Sequence, residues 1–228
     1  MHLEAVKRVY DRMNRECKMK VSWSGFLGLL KKGYFDKYES QITSYYDLMV
    51  GRRFFPNTPT IANYGSYLGM GSACFTLGIE DSIDSIMDTL KWAVVIFKSG
   101  GGLGYNFSHL RPEGDFVKTT GGIASGPLSF MSMFDNATDV IKQGGIRRGA
   151  NMGIMNSNHP DIEKFIHAKE GNKAMKNFNL SVMIMPELWD CYKKGESYPL
   201  INPKNGQVVK RIDAKKLLDE LVFQAWES

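Results

Sequence analysis

Residues able to carry chemistry gather in four short stretches of this chain. Lys98-Ser99-Gly100-Gly101-Gly102-Leu103-Gly104 places four glycines within five residues, so backbone N–H groups can approach a ligand with no Cβ in the way. On its own that spacing serves a ligand cradle or a bare chain reversal. Cys74, in Ser72-Ala73-Cys74-Phe75-Thr76-Leu77, is a thiol in a short run that reads as a buried strand, where cysteine is ordinarily an inert small hydrophobe. Gln143-Gly144-Gly145-Ile146-Arg147-Arg148-Gly149-Ala150-Asn151 holds two guanidinium groups in a flexible loop, which suits phosphate or base-edge contacts, solvated surface charge being the plainer alternative. In Pro56-Asn57-Thr58-Pro59-Thr60 two prolines force extended backbone and leave threonine hydroxyls for local capping or for a ligand.

The elements that must position these stretches alternate along the chain. Apolar residues recur at helical spacing over Leu3 to Cys17 and over Ser40 to Phe54, while Gly25, Gly28 and Gly33 interrupt the segment between. Asp81 and Ser82 supply capping oxygens for a helix through Ile83, Ile86, Met87, Leu90, Val94 and Phe97, which runs straight into the glycines. A strand is expected over Gly104 to Leu110, ending at Arg111-Pro112. A second Gly-rich stretch leads to a helix opened by Pro127. Asn158-His159-Pro160-Asp161 starts a further helix, Asn179 to Met185 reads as a strand, Pro186 to Lys194 as a helix and Tyr198 to Ile201 as a strand. Asp213 caps a last helix with no stop signal after it, so the chain is expected to be incomplete as a folding unit. This order predicts an α/β domain over 53–228 behind a helical lead-in over 1–52.

Composition narrows the partners. With 228 residues, 43% hydrophobic and 23% charged, the chain can bury a sizeable core. A formal charge of +5 suits an anionic partner, but the basic residues are scattered, which favours a small anionic ligand over nucleic acid. Cys17, Cys74 and Cys191 are odd in number with no Cys-x-x-Cys pair, arguing for a reducing cytoplasm and against a zinc site. No apolar run is long enough to predict a membrane span.

Taken together and in order, Pro56 to Thr60, Ser72 to Phe75, Lys98 to Gly104, Gly121-Gly122-Ile123-Ala124-Ser125-Gly126-Pro127 and Lys142 to Asn151 resemble the catalytic barrel of ribonucleotide reductase large subunits. The Lys-Ser-Gly-Gly-Gly and Arg-Arg-Gly-Ala-Asn forms are most similar to the adenosylcobalamin-dependent class. The resemblance implies the first half of a ten-stranded α/β barrel built from two antiparallel halves of five parallel strands. It implies that Cys74 is one of two cysteines that reduce the ribose 2′ carbon and become a disulfide, and that Thr58, Ala73, Cys74 and Gly102 contact a ribonucleotide substrate. It further implies a deoxynucleoside triphosphate effector site at Asp81, Ile83, Arg111 and Lys118, with Gln143 and Arg147 carrying effector identity to the substrate base. Helices over 82–97 and 127–142 would pack across a homodimer, and a thioredoxin-type protein would restore the thiols.

Departures from that pattern set further expectations. The family's radical cysteine, its Asn-x-Cys-x-Glu motif and the second reducing cysteine have no counterpart here, since Cys17 lies in the lead-in and Cys191 in a helix without the motif. The chain is therefore expected not to turn over alone and to need a complementary C-terminal half chain. An amino-terminal ATP-binding cone is also not expected. The alternative is a noncatalytic nucleotide-binding and dimerisation module. A phosphate-loop enzyme is disfavoured, because no Gly-Lys-Ser/Thr opens a helix.

Overall fold

The computed structural model describes residues 7–8, 10–11, 15, 22–33, 36–63, 70–117, 121–141, 149–172 and 174–227. They fall into two compact units, residues 1–73 and 74–228. The helix expected over 3–17 lies mostly outside the described residues.

In the first unit α1 (Trp23–Lys31) is opened by Ser22, whose hydroxyl accepts from Gly25 N at 3.2 Å, so the glycines that interrupt the apolar pattern do not prevent a helix. Trp23 and Phe26 close on Tyr10 with ring centroids at 5.1 and 5.4 Å. Helix α2 (Glu39–Val50) buries none of its residues. The loop expected over 56–60 holds at Pro56 and Asn57, but Thr58 opens α3 (Thr58–Asn63). The Asn57 carboxamide oxygen accepts from both the amide and the hydroxyl of Thr60, and Pro59 sits in the first turn, where its missing N–H costs nothing. The Thr60 hydroxyl also donates to Gly71 O at 2.9 Å.

The second unit follows a strand–helix alternation: β1 (Cys74–Leu77), α4 (Ile83–Lys98), β2 (Gly102–Asn106), the short hairpin β3 (Phe116–Val117) and β4 (Gly122–Ile123), α5 (Gly126–Val140), β5 (Asn151–Asn156), α6 (Ile162–Ile166), β6 (Phe178–Met183), α7 (Pro186–Lys194), β7 (Ser197–Ile201), β8 (Val208–Asp213) and α8 (Ala214–Glu227). Strands β1, β2, β5 and β6 form a parallel sheet in the order β1-β2-β5-β6, while β7 and β8 pair as an antiparallel hairpin. The strand expected over 104–110 stops at Asn106 because the Asn106 side chain accepts from Ser108 N at 3.0 Å and turns the chain into one 3-10 turn.

Strand alternation gives the sheet two unlike faces. Leu103 and Tyr105 of β2, Gly153 and Met155 of β5 and Phe178 of β6 share one face. That face is buried, as are Ile86, Ala93 and Phe97 of α4 and Met131 and Phe134 of α5, and all of them except Gly153, whose missing side chain leaves room for Met131, belong to one hydrophobic core. Tyr105, Phe107, Phe134 and Phe178 interlock there with centroids 5.0 to 6.3 Å apart, each such pair contributing about 0.5–1.5 kcal/mol beyond its area burial. The opposite face carries Cys74, Thr76, Gly102, Gly104, Asn106 and Met152, none of them buried. Parallel sheets are ordinarily covered on both faces, so a face that the described residues leave exposed is a surface suited to a partner or a ligand. No described helix is long and apolar enough to cross a membrane.

Candidate functional site

Cys74 begins β1 and its register partner is Gly102, the first residue of β2. The run that reads as a buried strand is not buried: β1 alternates exposed and half-buried positions and Cys74 is exposed. An apolar run cannot say whether its strand will lie inside a sheet or at its edge, and among the described strands β1 is an edge. The thiol therefore stands on the uncovered face, beside a strand that offers Gly102 and Gly104 on the same side. A Cβ at Gly104 would make only ordinary van der Waals contact, with Thr76 Cγ2 at 3.7 Å and Phe75 O at 3.9 Å, so this part of the face has room for a small group. Gly101 differs: a Cβ there would meet Ile96 Cγ2 at 2.7 Å and Phe75 Cε2 at 2.9 Å, so the loop closes tightly onto α4 and β1.

The second group of expected residues lies at the other end of the strands. Asp81 precedes α4, whose cap is Ser82 alone: its hydroxyl accepts from Ser85 N at 3.2 Å. Asp81 is left for Arg111, which donates from Nε to Oδ2 at 2.8 Å and to Oδ1 at 3.0 Å, and from its backbone N to Oδ1 at 3.2 Å. Both side chains are partly exposed, 27% and 20%, so the pair can be reached from solvent. Ile83, in the first turn of α4, is 59% exposed. Asp81, Ile83 and Arg111 are thus brought to one corner, where a guanidinium and a carboxylate can meet phosphate and hydroxyl groups. Lys118, Gln143 and Arg147 lie outside the described residues. Thr58 and Ala73 belong to the first unit, Thr58 exposed at the start of α3.

Two residues read only as a helix start turn out to build this corner. His159, buried in the turn after β5, bonds through Nε2 to Leu110 O at 2.9 Å, and its Nδ1 accepts from Asp161 N at 3.0 Å. Because Nδ1 accepts, the proton sits on Nε2 and the ring is neutral; burial pushes its pKa below the usual histidine value, against the pull of the Leu110 carbonyl and of Asp161. Asp161 spends its carboxylate on Glu113 N at 2.8 Å instead of capping α6. The only signal in the sequence was the pairing of a histidine with an aspartate around Pro160. A cavity of about 820 Å³ opens elsewhere among the described residues, lined by Phe165, Lys169, Phe178, Leu180, Leu221 and Gln224, and includes none of the expected site residues.

A parallel α/β sheet with a thiol exposed on its glycine-lined face, and an acid–arginine corner at the far strand ends, is the arrangement that known proteins can be compared with. Residues 72–228 match the barrel-domain model of ribonucleotide reductases, and the chain belongs to that family. It is 43% identical over 232 residues to the vitamin B12-dependent ribonucleoside-diphosphate reductase of Thermoplasma acidophilum, covering 99% of this chain and 29% of the relative. The enzyme of the same description from Mycobacterium tuberculosis is 44% identical over 175 residues, covering 76% of this chain and 25% of that protein. The ribonucleoside-diphosphate reductase large subunit of Vaccinia virus is 34% identical over 149 residues, 63% of this chain and 19% of its own length. The chain thus spans less than a third of the relatives it matches.

Proposed function

We propose that this chain supplies the first part of the catalytic barrel of a B12-dependent ribonucleotide reductase, acting in the cytoplasm together with a complementary C-terminal part. The observation that carries this reading is the exposed Cys74 thiol on the open face of the parallel sheet, in register with Gly102. A barrel closed on that face would turn it inward, so that the thiol and the glycine backbone line the substrate cavity. Cys74 and a second cysteine of the complementary part deliver two electrons and two protons: the ribose 2′ hydroxyl leaves as water, hydrogen replaces it at carbon, and the two sulfurs join as a disulfide. A thioredoxin-type dithiol then restores them. Rigid attachment of Cys74 to a strand favours this step by holding the sulfur in place.

The cofactor assigned here is adenosylcobalamin, by similarity to relatives described as vitamin B12-dependent. When bound, it would supply the radical that opens the reaction at the ribose. The part of this chain is to present thiol and backbone. Regulation is assigned to the corner of Asp81, Ile83 and Arg111, with Lys118, Gln143 and Arg147, which would bind a deoxynucleoside triphosphate. A homodimer through α4 and α5 is favoured by the exposed apolar residues Ile83, Met87, Trp92 and Val95 on α4.

The test is reconstitution of the chain with a complementary C-terminal part, adenosylcobalamin and a dithiol. Deoxyribonucleotide formation that disappears with Cys74→Ser supports the assignment; unchanged multiple turnover by that variant overturns it. The noncatalytic reading would instead leave deoxynucleotide binding with no turnover under any complementation.

A further inference from the structure

We propose that the turn His159-Pro160-Asp161 is a clamp that positions Arg111, fixing the backbone on both sides of it so that the guanidinium meets Asp81. This rests on the reading of Arg111 as an effector contact. The chain leaves the 3-10 turn at Leu110 and passes Arg111 and Pro112 before Glu113. His159 Nε2–H holds the Leu110 carbonyl at 2.9 Å, immediately before Arg111, and the Asp161 carboxylate holds Glu113 N at 2.8 Å, two residues after it. The two arms are themselves tied, since Asp161 N donates to His159 Nδ1 at 3.0 Å. Between the arms the Arg111 amide donates to Asp81 at 3.2 Å and its side chain folds onto the same carboxylate.

The clamp is specific in its chemistry. It needs one ring that accepts at one nitrogen and donates at the other, which neutral imidazole does and neither a cation nor an aliphatic side chain can. Neither arm reaches the corner's open side, so His159 and Asp161 act through Arg111 and are positioning residues. Asp161 is buried and spends its acceptor inward, on the chain that carries Arg111.

The experiment splits the two functions of the imidazole in the full chain. His159→Asn keeps an acceptor near the Nδ1 position but loses the bond to Leu110; His159→Gln keeps a donor near Nε2. Two readouts are taken: the Arg111 Nε–H resonance in nitrogen-edited NMR, and the dissociation constant for each deoxynucleoside triphosphate. The expected result is an Arg111 resonance moved to the position of solvent-exposed arginine in His159→Asn, with nucleotide binding weakened about tenfold, the loss of one well-placed charge-assisted contact. Both are restored in His159→Gln. A folded His159→Asn protein with the wild-type Arg111 resonance overturns the clamp. Should His159→Asn not fold, Asp161→Ala, which frees only the Glu113 arm, takes its place under the same criteria. If the Arg111 resonance responds as expected while no deoxynucleotide binds the wild type, the clamp stands and the effector reading falls.

Discussion

The two ends of the parallel sheet are built on opposite principles. At the start of β1 and β2, Cys74 stands exposed, in register with Gly102. Beyond the far end, Asp81, Arg111, His159 and Asp161 are locked into a chain of hydrogen bonds that leaves little to chance. Under the proposed function, a reducing thiol gains from standing exposed on a strand, free to meet a substrate. Under the proposed effector reading, the corner gains from holding its guanidinium in place before the ligand arrives, because ordering a long side chain at the moment of binding costs about 0.5–1.5 kcal/mol. An effector arriving here would exchange part of the Asp81–Arg111 contact for its own.

The largest effect that could break this contrast is at the bare end. Cys74→Ser in the reconstituted system is expected to lower kcat by about a thousandfold or more, as when one member of a cooperating catalytic unit is lost, while the melting temperature stays close to wild type. At the locked end, Arg111→Ala is expected to weaken deoxynucleotide binding by about ten- to a hundredfold in calorimetric titration. Gly126, with φ +78° and a would-be Cβ 2.9 Å from Glu113 N, backs the segment that carries Arg111. Gly126→Ala should cost about 1–3 kcal/mol, read as a lower midpoint in denaturant.

A smaller effect depends on pH. His159 holds a folded pKa below its unfolded value of about 6.5, so as pH falls below that value the unfolded chain takes up a proton that the native state refuses. Stability should therefore decline as pH falls from 6.5 toward the native pKa, and His159→Gln should remove that part of the slope in urea titrations. The smallest effect is expected at Gly104→Ala, where the added methyl finds only Thr76 Cγ2 at 3.7 Å and Phe75 O at 3.9 Å, leaving stability within about 0.5 kcal/mol.

How much of this was legible in the sequence follows from the range of the interactions concerned. Local signals worked: Ser82 caps α4, Pro186 opens α7, and the Asp213 carboxylate accepts from Lys215 and Lys216 N at 2.8 and 3.0 Å to start α8. Strand β8 was missed although Asn205-Gly206, a strong hairpin signal, lies between it and β7; its Lys210 and Arg211 broke the apolar pattern that strand reading relies on. The loop reading failed over 58–60 because Pro59 was weighed as a breaker when Asn57 had made it a first-turn residue. For the site, the motifs carried Cys74 and Gly102 by resemblance, but the exposure of Cys74 depends on strand order, which no local window contains. The bond from His159 to Leu110 joins residues far apart in the chain, and nothing in either segment alone announces it.

The order of the sheet also has a consequence in time. Each of its three pairings is parallel and must wait for a crossover to close, whereas β7 and β8 are neighbours in sequence, joined only by residues 202–207. Hairpins form in about 1–10 μs, and distant parallel pairings are slower by orders of magnitude. In pulse-labelling hydrogen exchange the amides of Ser197–Ile201 should gain protection early and those of Cys74–Leu77 late, so the strand that carries the thiol would be among the last to find its place.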